Sequence, residues 1–453
     1  MSSYFFNDVL STIVVRGRSI VERGRERRAS GHDLASLAED LLSGRGEATG
    51  VALARDLLDS YALLDSAGRT AFFRALATEF GANPVNVEAA AKAYIADPGE
   101  ATAARLHAAS EARRQELIRR LNRAPGGTAA LVAMREDLLQ RLRDHPDFRP
   151  VDKDFEHLLS SWFNRGFLVL RRVDWSTPAS ILEKIIRYEA VHEINGWDDL
   201  RRRIDLPDRR LYAFFHPALI DEPLIFVEVA LTTDIPDAIG PILAEEREPI
   251  EATDATTAVF YSISNCQSGL RGVSFGNFLI KQVVEELART LPALKTFVTL
   301  SPAPTFRRWV ETQRRAADSP FLVSGDAEVL ALADEAACFD DEALVAKVRP
   351  VLMRLAAQYY LQAKTERGTP PDPVARFHLG NGARLERIDF LGDPSPKGMA
   401  DSYGLMVNYL YDPKLIERQH EAYANTGEIA ASSAVKKLLR GAPEPKALVA
   451  IPA

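Results

Sequence analysis

The fold is decided by the run Thr257-Ala-Val-Phe-Tyr-Ser-Ile-Ser-Asn265, together with Arg271-Gly-Val-Ser-Phe-Gly276 and Asn277-Phe-Leu-Ile-Lys-Gln-Val-Val-Glu-Glu-Leu287 that follow it. The first run alternates between two faces and is rich in β-branched and aromatic residues, which predicts a strand. The last run has apolar residues at three- and four-residue spacing, which predicts a helix. The sequence between them carries two glycines and predicts a loop. Together they form a strand, a glycine-bearing loop and a helix.

The loop of residues 271–276 is suited to binding an anion. A loop that ends on a helix N-terminus offers free backbone N–H groups and the positive end of the helix dipole, and glycine lets a phosphate approach the backbone. The loop lacks the Walker A ending and the Gly-x-Gly-x-x-Gly pattern. It resembles the pyrophosphate loop of the GNAT acyltransferases, Arg/Gln-x-x-Gly-x-Gly/Ala, with Arg271 first, Ser274 where glycine is usual and Gly276 last. Ordinary turn chemistry is the alternative, because glycine marks turns of many kinds.

A second strand predicts the place of a serine. Residues 296–300 are apolar, and a strand, helix and strand of this length normally form a right-handed parallel crossover. Both strands then end at one edge of the sheet, where open α/β sheets bind their ligands. The second strand leads into Ser301-Pro-Ala-Pro304, whose prolines favour extended backbone at Ser301. We therefore expect Ser301 at the same edge as the loop of residues 271–276, and a Ser-Pro turn is the alternative.

A histidine follows in Pro373-Val-Ala-Arg-Phe-His-Leu-Gly-Asn-Gly-Ala383. The pattern predicts a helix that begins near Pro373, buries Val374 and Phe377, and ends at the glycines that follow His378. Because a helix C-terminus favours a cation, we expect a raised pKa for His378, which suits a proton donor. The chain has seven other histidines, and none forms a His-Glu-x-x-His metal motif.

Composition bounds the class of protein. With 46% hydrophobic and 26% charged residues, the 453-residue chain predicts a globular protein of two or three domains. A net charge of −7 gives no footprint for nucleic acid. Two cysteines do not make a disulfide scaffold, and no apolar run approaches the ~18 residues of a membrane span. We therefore expect a cytoplasmic protein without membrane or nucleic-acid partners.

The first 150 residues are predicted to be almost wholly helical. Apolar residues recur at helical spacing over residues 51–63, 67–80, 87–96, 101–121 and 128–143, with turn-forming breaks between them. No catalytic constellation is evident there. The apolar faces exceed what a thin bundle needs to bury, so we expect a homo-oligomer, either a dimer or a tetramer.

Five ordered motifs resemble the malonyl-CoA decarboxylase family over residues 188–411. They are Phe260-Tyr-Ser-Ile-Ser, the run from Arg271 to Lys281, Leu300-Ser-Pro-Ala-Pro, Phe377-His-Leu-Gly-Asn-Gly-Ala and Gly404-Leu-Met-Val-Asn-Tyr-Leu-Tyr411. The resemblance implies a helical oligomerisation domain over residues 1–150 and an α+β GNAT-like catalytic domain with a mixed sheet over residues 151–453. It also implies conversion of malonyl-CoA to acetyl-CoA and carbon dioxide without an added cofactor or metal.

The resemblance also assigns roles to individual residues. It makes Ser301 the catalytic serine and proton acceptor, His378 the proton donor, and Tyr411 a further active-site residue, and Ser301 and His378 also contact the substrate. The residues that it assigns to the malonyl-CoA-binding loop are Arg271, Gly272, Val273, Ser274, Phe275, Gly276 and Asn277. Some family members carry glutamate at the position of Ser274, so an acidic side chain has no counterpart here.

Two other functions use the same loop. A GNAT-type acyltransferase would bind acyl-CoA there and would also need a pocket for an acceptor amine. A non-catalytic acyl-CoA sensor would bind without turnover. The Ser-Pro and His-Leu-Gly-Asn motifs favour the decarboxylase, because neither motif is needed simply to hold CoA.

Overall fold

The computed structural model describes residues 34–43, 46–273, 279–440, 442 and 450–451. The chain divides into two compact units. The first comprises Met1–Leu168 with two short segments, His216–Glu222 and Gln267–Phe275, and the second comprises the rest. The boundary predicted near residue 150 falls within the first unit, whose long segment ends at Leu168.

The described part of the first unit is helical. Its α-helices are α1 (Leu34–Leu42), α2 (Glu47–Ala62), α3 (Ser66–Thr78), α4 (Pro84–Ala96), α5 (Glu100–Ser110), α6 (Arg113–Leu121), α7 (Gly127–Arg141) and α8 (Arg149–Trp162). Side chains cap several of them, as where Asp65 accepts the N–H of Gly68 at the start of α3. The single helix predicted over residues 101–121 is wrong, because extended backbone at Glu111 and Ala112 separates α5 from α6.

The core of the first unit is aromatic and aliphatic. Tyr61, Phe72 and Phe73 pack with ring centroids 5.6–6.3 Å apart, and Phe73 also packs on Phe148. Burial is uneven, since α4 has no buried residue and α5 buries only Thr102. The other helices therefore supply almost all of the buried core of this unit.

The segment around Gly269, which follows the strand predicted over residues 257–265, packs on α7 within the first unit. Arg135, which is fully buried, donates to the carbonyl of Gly269 at 2.9 Å and to Asp152 at 2.9 Å. A Cβ at Gly269 would lie 1.9 Å from the carbonyl oxygen of Val132. Only glycine fits this approach of one backbone to another.

The second unit is built on a mixed sheet. Its strands are β1 (Val169–Val173), β2 (Arg209–Phe215), β3 (Pro223–Thr232), β4 (Thr257–Asn265), β5 (Thr296–Thr299), β6 (Ser301–Pro302), β8 (Arg384–Asp389) and β9 (Met406–Leu410), with a separate parallel pair of β7 (Lys364–Thr365) and β10 (Ala450–Ile451). The order in the main sheet is β1-β2-β3-β4-β5-β9-β6, and β8 also pairs with β9. In the main sheet, β4 and β5 pair in parallel, and all the other strand pairs are antiparallel.

Eleven α-helices accompany this sheet among the described residues of the second unit. They are α9 (Ala179–Tyr188), α10 (Trp197–Ile204), α11 (Gly240–Leu243), α12 (Leu279–Thr290), α13 (Phe306–Arg315), α14 (Asp326–Ala333), α15 (Glu342–Leu361), α16 (Pro373–Gly380), α17 (Pro396–Ser402), α18 (Ile416–Thr426) and α19 (Ser433–Lys437). The predicted parallel crossover is confirmed, since α12 connects β4 to β5. A helical first unit and an α+β second unit built on a mixed sheet confirm the predicted fold class in these two respects.

Strands β4 and β5 are paired over only part of the length of β4. Their pairing ends at Phe260 and Thr299, and the next residue, Leu300, donates its N–H to the carbonyl of Phe260. Strand β4 continues beside β3 as far as Asn265, with a bulge that leaves Tyr261 opposite no partner residue. The two strands thus splay from this point, which leaves room between them at the carboxyl edge.

No helix among the described residues is both long enough and apolar enough to cross a membrane.

Candidate active site

A cavity of about 260 Å³ lies at the splay of β4 and β5 in the second unit. Strand β4, the start of β6 and helices α12 and α16 contribute its walls. Ser301, His378, Tyr261 and Asn265 are polar residues on its described lining, which includes no Asp, Glu, Lys or Arg. The cavity is therefore mostly apolar, with a few polar groups that converge in it.

Ser301 stands where β5 gives way to β6. It pairs with Val407 of β9, and Pro302 follows it without a backbone N–H to donate. Its side chain is 5% exposed and its hydroxyl donates to the hydroxyl of Thr299 at 2.9 Å. The sequence placed Ser301 at this edge of the sheet, and its presence on the cavity lining confirms that part of the prediction.

Helix α16 carries His378 in its last turn, as predicted. Asp372, fully buried, caps the start of the helix by accepting the N–H of Ala375 at 2.8 Å. After the helix ends, the N–H of Ala383 returns to the carbonyl of His378 at 3.0 Å. The predicted burial of Phe377 is wrong: Phe377 is 39% exposed and Val374 is half-buried, whereas Ala375, His378 and Leu379 are buried. Val374, Phe377 and His378 all line the cavity, so Phe377 stays partly exposed at the cavity while His378 is enclosed.

Both ring nitrogens of His378 have hydroxyl partners. Nε2 lies 3.1 Å from Ser301 Oγ, and Nδ1 lies 2.8 Å from the hydroxyl of Tyr411. The ring of Tyr409 stacks on the imidazole with centroids 4.6 Å apart. The three residues predicted to be catalytic are therefore in one hydrogen-bonded line, of which Tyr411 is the most buried at 1% exposure.

The expectation of a raised pKa for His378 is wrong in direction. Burial lowers the pKa of His378 to about 3, because the imidazolium ion would lose its water without gaining a counter-ion. The helix C-terminus is a smaller effect than this desolvation. Burial also raises the pKa of Tyr411 well above its ordinary value, so its phenol keeps its proton. The line of side chains is neutral in the free protein at pH 7.

We expect the His378 ring to stay neutral between pH 5 and pH 8 in the free protein, because this range lies above its lowered pKa. The unfolded chain would bind a proton near pH 6.5. The burial of a neutral ring therefore stabilises the fold fully above pH 6.5, and this contribution is lost as the pH falls towards 3. A ¹⁵N titration by NMR measures the pKa of the His378 ring in the folded protein, and the resonance is assigned by its loss in His378→Asn. A midpoint at or above pH 6 would contradict the burial argument.

The predicted CoA loop is described in part. Arg271, Gly272 and Val273 belong to the first compact unit, where Arg271 and Gly272 are exposed in a turn and Val273 is buried. Gly272 has a φ of 83°, a conformation that favours glycine. Ser274, Phe275, Gly276 and Asn277 lie outside the described residues. The helix predicted after the loop is confirmed as α12, which is described from Leu279 onwards.

The comparisons with known proteins point in the same direction. The family model of the malonyl-CoA decarboxylase C-terminal domain matches residues 166–449, and that of the malonyl-CoA decarboxylase N-terminal domain matches residues 80–163. The chain belongs to the malonyl-CoA decarboxylase family.

Curated relatives and solved structures agree with this assignment. The mitochondrial malonyl-CoA decarboxylase of Anser anser anser is 40% identical over 71% of this chain and 68% of the relative, and that of Mus musculus is 37% identical over 74% and 73%. The crystal structure of malonyl-CoA decarboxylase from Rhodopseudomonas palustris is similar with a TM-score of 0.88 and 60% identity, over 90% of this chain and 99% of that one. The enzyme from Agrobacterium vitis gives 0.86 and 56% over the same shares.

Sequence reasoning missed four residues that support the site in this member of the family. Thr299 contacts Ser301, and Tyr409 stacks on His378. Asp372 accepts a hydrogen bond from Tyr359 at 3.3 Å, and burial raises the pKa of Asp372 to about 6. The sequence offered two signals for these residues. Thr299 is a polar residue two positions before Ser301, and Asp372 directly precedes the proline at which α16 begins. No comparable signal in the sequence marked Tyr359.

Two further histidines make no contact with Ser301 or His378 in the described structure. His192 is half-buried beside Tyr261 of the cavity lining, and desolvation lowers its pKa to about 4. His216 belongs to the first unit, where its ring packs on Phe163. No group of three or more His, Cys, Asp or Glu side chains in the described residues is arranged to hold a metal ion.

Proposed function

We propose that this carboxy-lyase converts malonyl-CoA to acetyl-CoA and carbon dioxide at the cavity lined by Ser301 and His378. The observation that carries the proposal is the hydrogen-bonded line of Ser301, His378 and Tyr411, of which the first two line a cavity whose described lining has no charged side chain. Membership of the malonyl-CoA decarboxylase family supports the choice of substrate.

The reaction needs little from the protein except placement, an apolar setting and one proton. The bond between the carboxylate carbon and the α-carbon breaks, and its electron pair passes to the α-carbon and the thioester oxygen as carbon dioxide leaves. Because the described lining of the cavity contains no Lys or Arg, it does not stabilise the starting carboxylate selectively. Hydrogen-bond donors directed at the thioester oxygen stabilise the enolate as its charge develops.

His378 supplies the proton in this proposal. Its ring is neutral in the free protein, since burial holds its pKa near 3. The malonyl carboxylate brings negative charge into the cavity, and a nearby negative charge favours the protonated imidazole. Substrate binding thus recruits the proton that the α-carbon later receives, and solvent restores it after each turnover. Ser301 positions the acyl group and accepts a hydrogen bond from His378 Nε2.

The remaining expectations from the sequence belong to this proposal. Residues 271–277 hold the pyrophosphate of CoA, largely through backbone N–H groups. The reaction uses no added cofactor, and the protein acts in the cytoplasm as a homodimer or homotetramer. Each of these stays a prediction.

Purified protein incubated with malonyl-CoA alone, at neutral pH, is expected to release carbon dioxide and acetyl-CoA in equal amounts. No amine acceptor is present, so an acyltransferase would leave malonyl-CoA intact. A sensor would bind malonyl-CoA in calorimetry without consuming it. Heat-denatured protein is the control for spontaneous decarboxylation. Absence of both products from folded protein, verified by circular dichroism, overturns the proposal.

A further inference from the structure

A threonine behind Ser301 has no part in the function described so far. Thr299 is the last residue of β5, and residues two apart on an extended strand face the same side. It is fully buried, and its hydroxyl oxygen accepts the Ser301 hydroxyl at 2.9 Å and the backbone N–H of Tyr409 at 3.1 Å. Both acceptor positions of this oxygen are therefore filled by incoming protons.

The direction of the hydrogen bond from Ser301 to Thr299 determines the directions of the bonds between Ser301 and His378 and between His378 and Tyr411. A serine hydroxyl has one proton, and here Thr299 receives it. The side of Ser301 Oγ that faces His378 is then a lone pair, which must accept a proton from Nε2. In a neutral imidazole only one nitrogen carries a proton, so Nδ1 is bare and accepts the hydroxyl of Tyr411. That phenol retains its proton and can donate it.

We propose that Thr299 is a positioning residue that selects the tautomer of His378, with the proton on the nitrogen that faces Ser301 and the cavity. The selection acts through Ser301 alone. If Thr299 did not accept the serine proton, Ser301 could donate to Nε2 instead, and the ring would carry its proton on Nδ1, turned away from the cavity. This inference rests on the proposed function only where it concerns turnover, because the tautomer is a property of the free protein.

The tautomer is measured on free protein labelled with ¹⁵N-histidine, at pH 7, by long-range ¹⁵N–¹H correlation NMR. The His378 signals are assigned by their loss in His378→Asn. We expect Nε2 protonated and Nδ1 bare in the wild-type protein. The opposite pattern in the wild-type protein overturns the inference without any variant at Thr299.

The variants Thr299→Val and Thr299→Ser separate the hydroxyl from the bulk of the side chain. Valine keeps the shape and removes the acceptor, so we expect a shift of the His378 proton towards Nδ1 and a roughly tenfold lower kcat with little change in KM, equivalent to the loss of one hydrogen bond. Serine retains the acceptor, and we expect the wild-type tautomer and kcat close to the wild-type value.

Two results would contradict the role of Thr299. One is an unchanged tautomer in folded Thr299→Val. The other is an equal change of tautomer in Thr299→Ser. If valine prevents folding because the N–H of Tyr409 loses its acceptor, the wild-type spectrum still overturns the inference when it shows Nδ1 protonated, and Thr299→Ser still overturns it when its tautomer departs from that of the wild type. Failure of the protein to release carbon dioxide would refute the proposed reaction and leave the tautomer result intact.

Discussion

Replacement of His378 by asparagine, or of Ser301 by alanine, is expected to lower kcat for malonyl-CoA decarboxylation by about 10²–10⁴-fold, the usual range for general acid–base groups. The two side chains are 3.1 Å apart at the cavity, so each variant removes a hydrogen-bonded partner from the other. Binding of CoA itself is expected to change little, because pyrophosphate recognition is assigned to residues 271–277. Single-turnover kinetics with malonyl-CoA and calorimetry with CoA measure the two quantities separately.

The double variant tests whether the pair acts as a unit. If Ser301 works through His378, the combined loss should be much smaller than the product of the single losses. In deuterated water the acetyl product should carry solvent deuterium at its methyl carbon, because the proton arrives after the carbon–carbon bond has broken. Near-wild-type turnover in a single variant rejects the role of that residue. Strictly multiplicative losses retain both roles and refute the coupling.

A second large effect is expected from Gly382→Ala, a substitution four residues beyond His378. Gly382 has a φ of 78°, and a Cβ there would lie 2.2 Å from the carbonyl oxygen of Ile416. The left-handed conformation alone costs an alanine about 1–2 kcal/mol, and the contact with the backbone of Ile416 adds to this cost. We therefore expect a loss of unfolding free energy of at least about 2 kcal/mol. Because the chain from His378 to Gly382 closes the end of α16, activity should fall with stability.

Gly380→Ala is the matched control for this change. A Cβ at Gly380 meets only the ring edge of Tyr423, at 3.9 Å, which is ordinary contact, and the residue lies within α16. The expected effect is neutral or slightly stabilising, since alanine is favoured over glycine in helices. Thermal unfolding of both variants beside the wild type decides the comparison. Equal melting temperatures for the two variants would refute the steric argument at Gly382.

Local periodicity predicted much of the second unit. Alternation in residues 257–265 gave strand β4, and the apolar spacing that follows gave α12. The handedness rule for crossovers then placed Ser301 at the edge of the sheet, which the parallel pairing of β4 and β5 confirms. These predictions succeeded because each depends on residues that are near one another in the chain.

The failures concern quantities that distant residues determine. The contact between Ser301 and His378 spans 77 positions, and no local pattern encodes which face of α16 meets the sheet. Phe377 was expected to be buried because apolar residues usually are, but it is 39% exposed at the cavity, whereas its neighbour His378 is buried. The sign of the pKa shift at His378 depends on the degree of burial, which sequence does not reveal. The break between α5 and α6 lies at Glu111 and Ala112, whose backbone is extended although neither residue type is typical of a helix end.

The uneven burial in the first unit has a consequence for how that unit comes apart. Helix α4 buries no residue and α5 buries only Thr102, so their separation from the other helices exposes almost no apolar surface to water. The free energy that opposes such an opening is therefore small compared with that of global unfolding. We therefore expect residues 84–110 to exchange between native and open forms while the aromatic core around Phe73 stays intact. The unit would then unfold at two levels of cooperativity, and a single melting temperature would describe only the higher one.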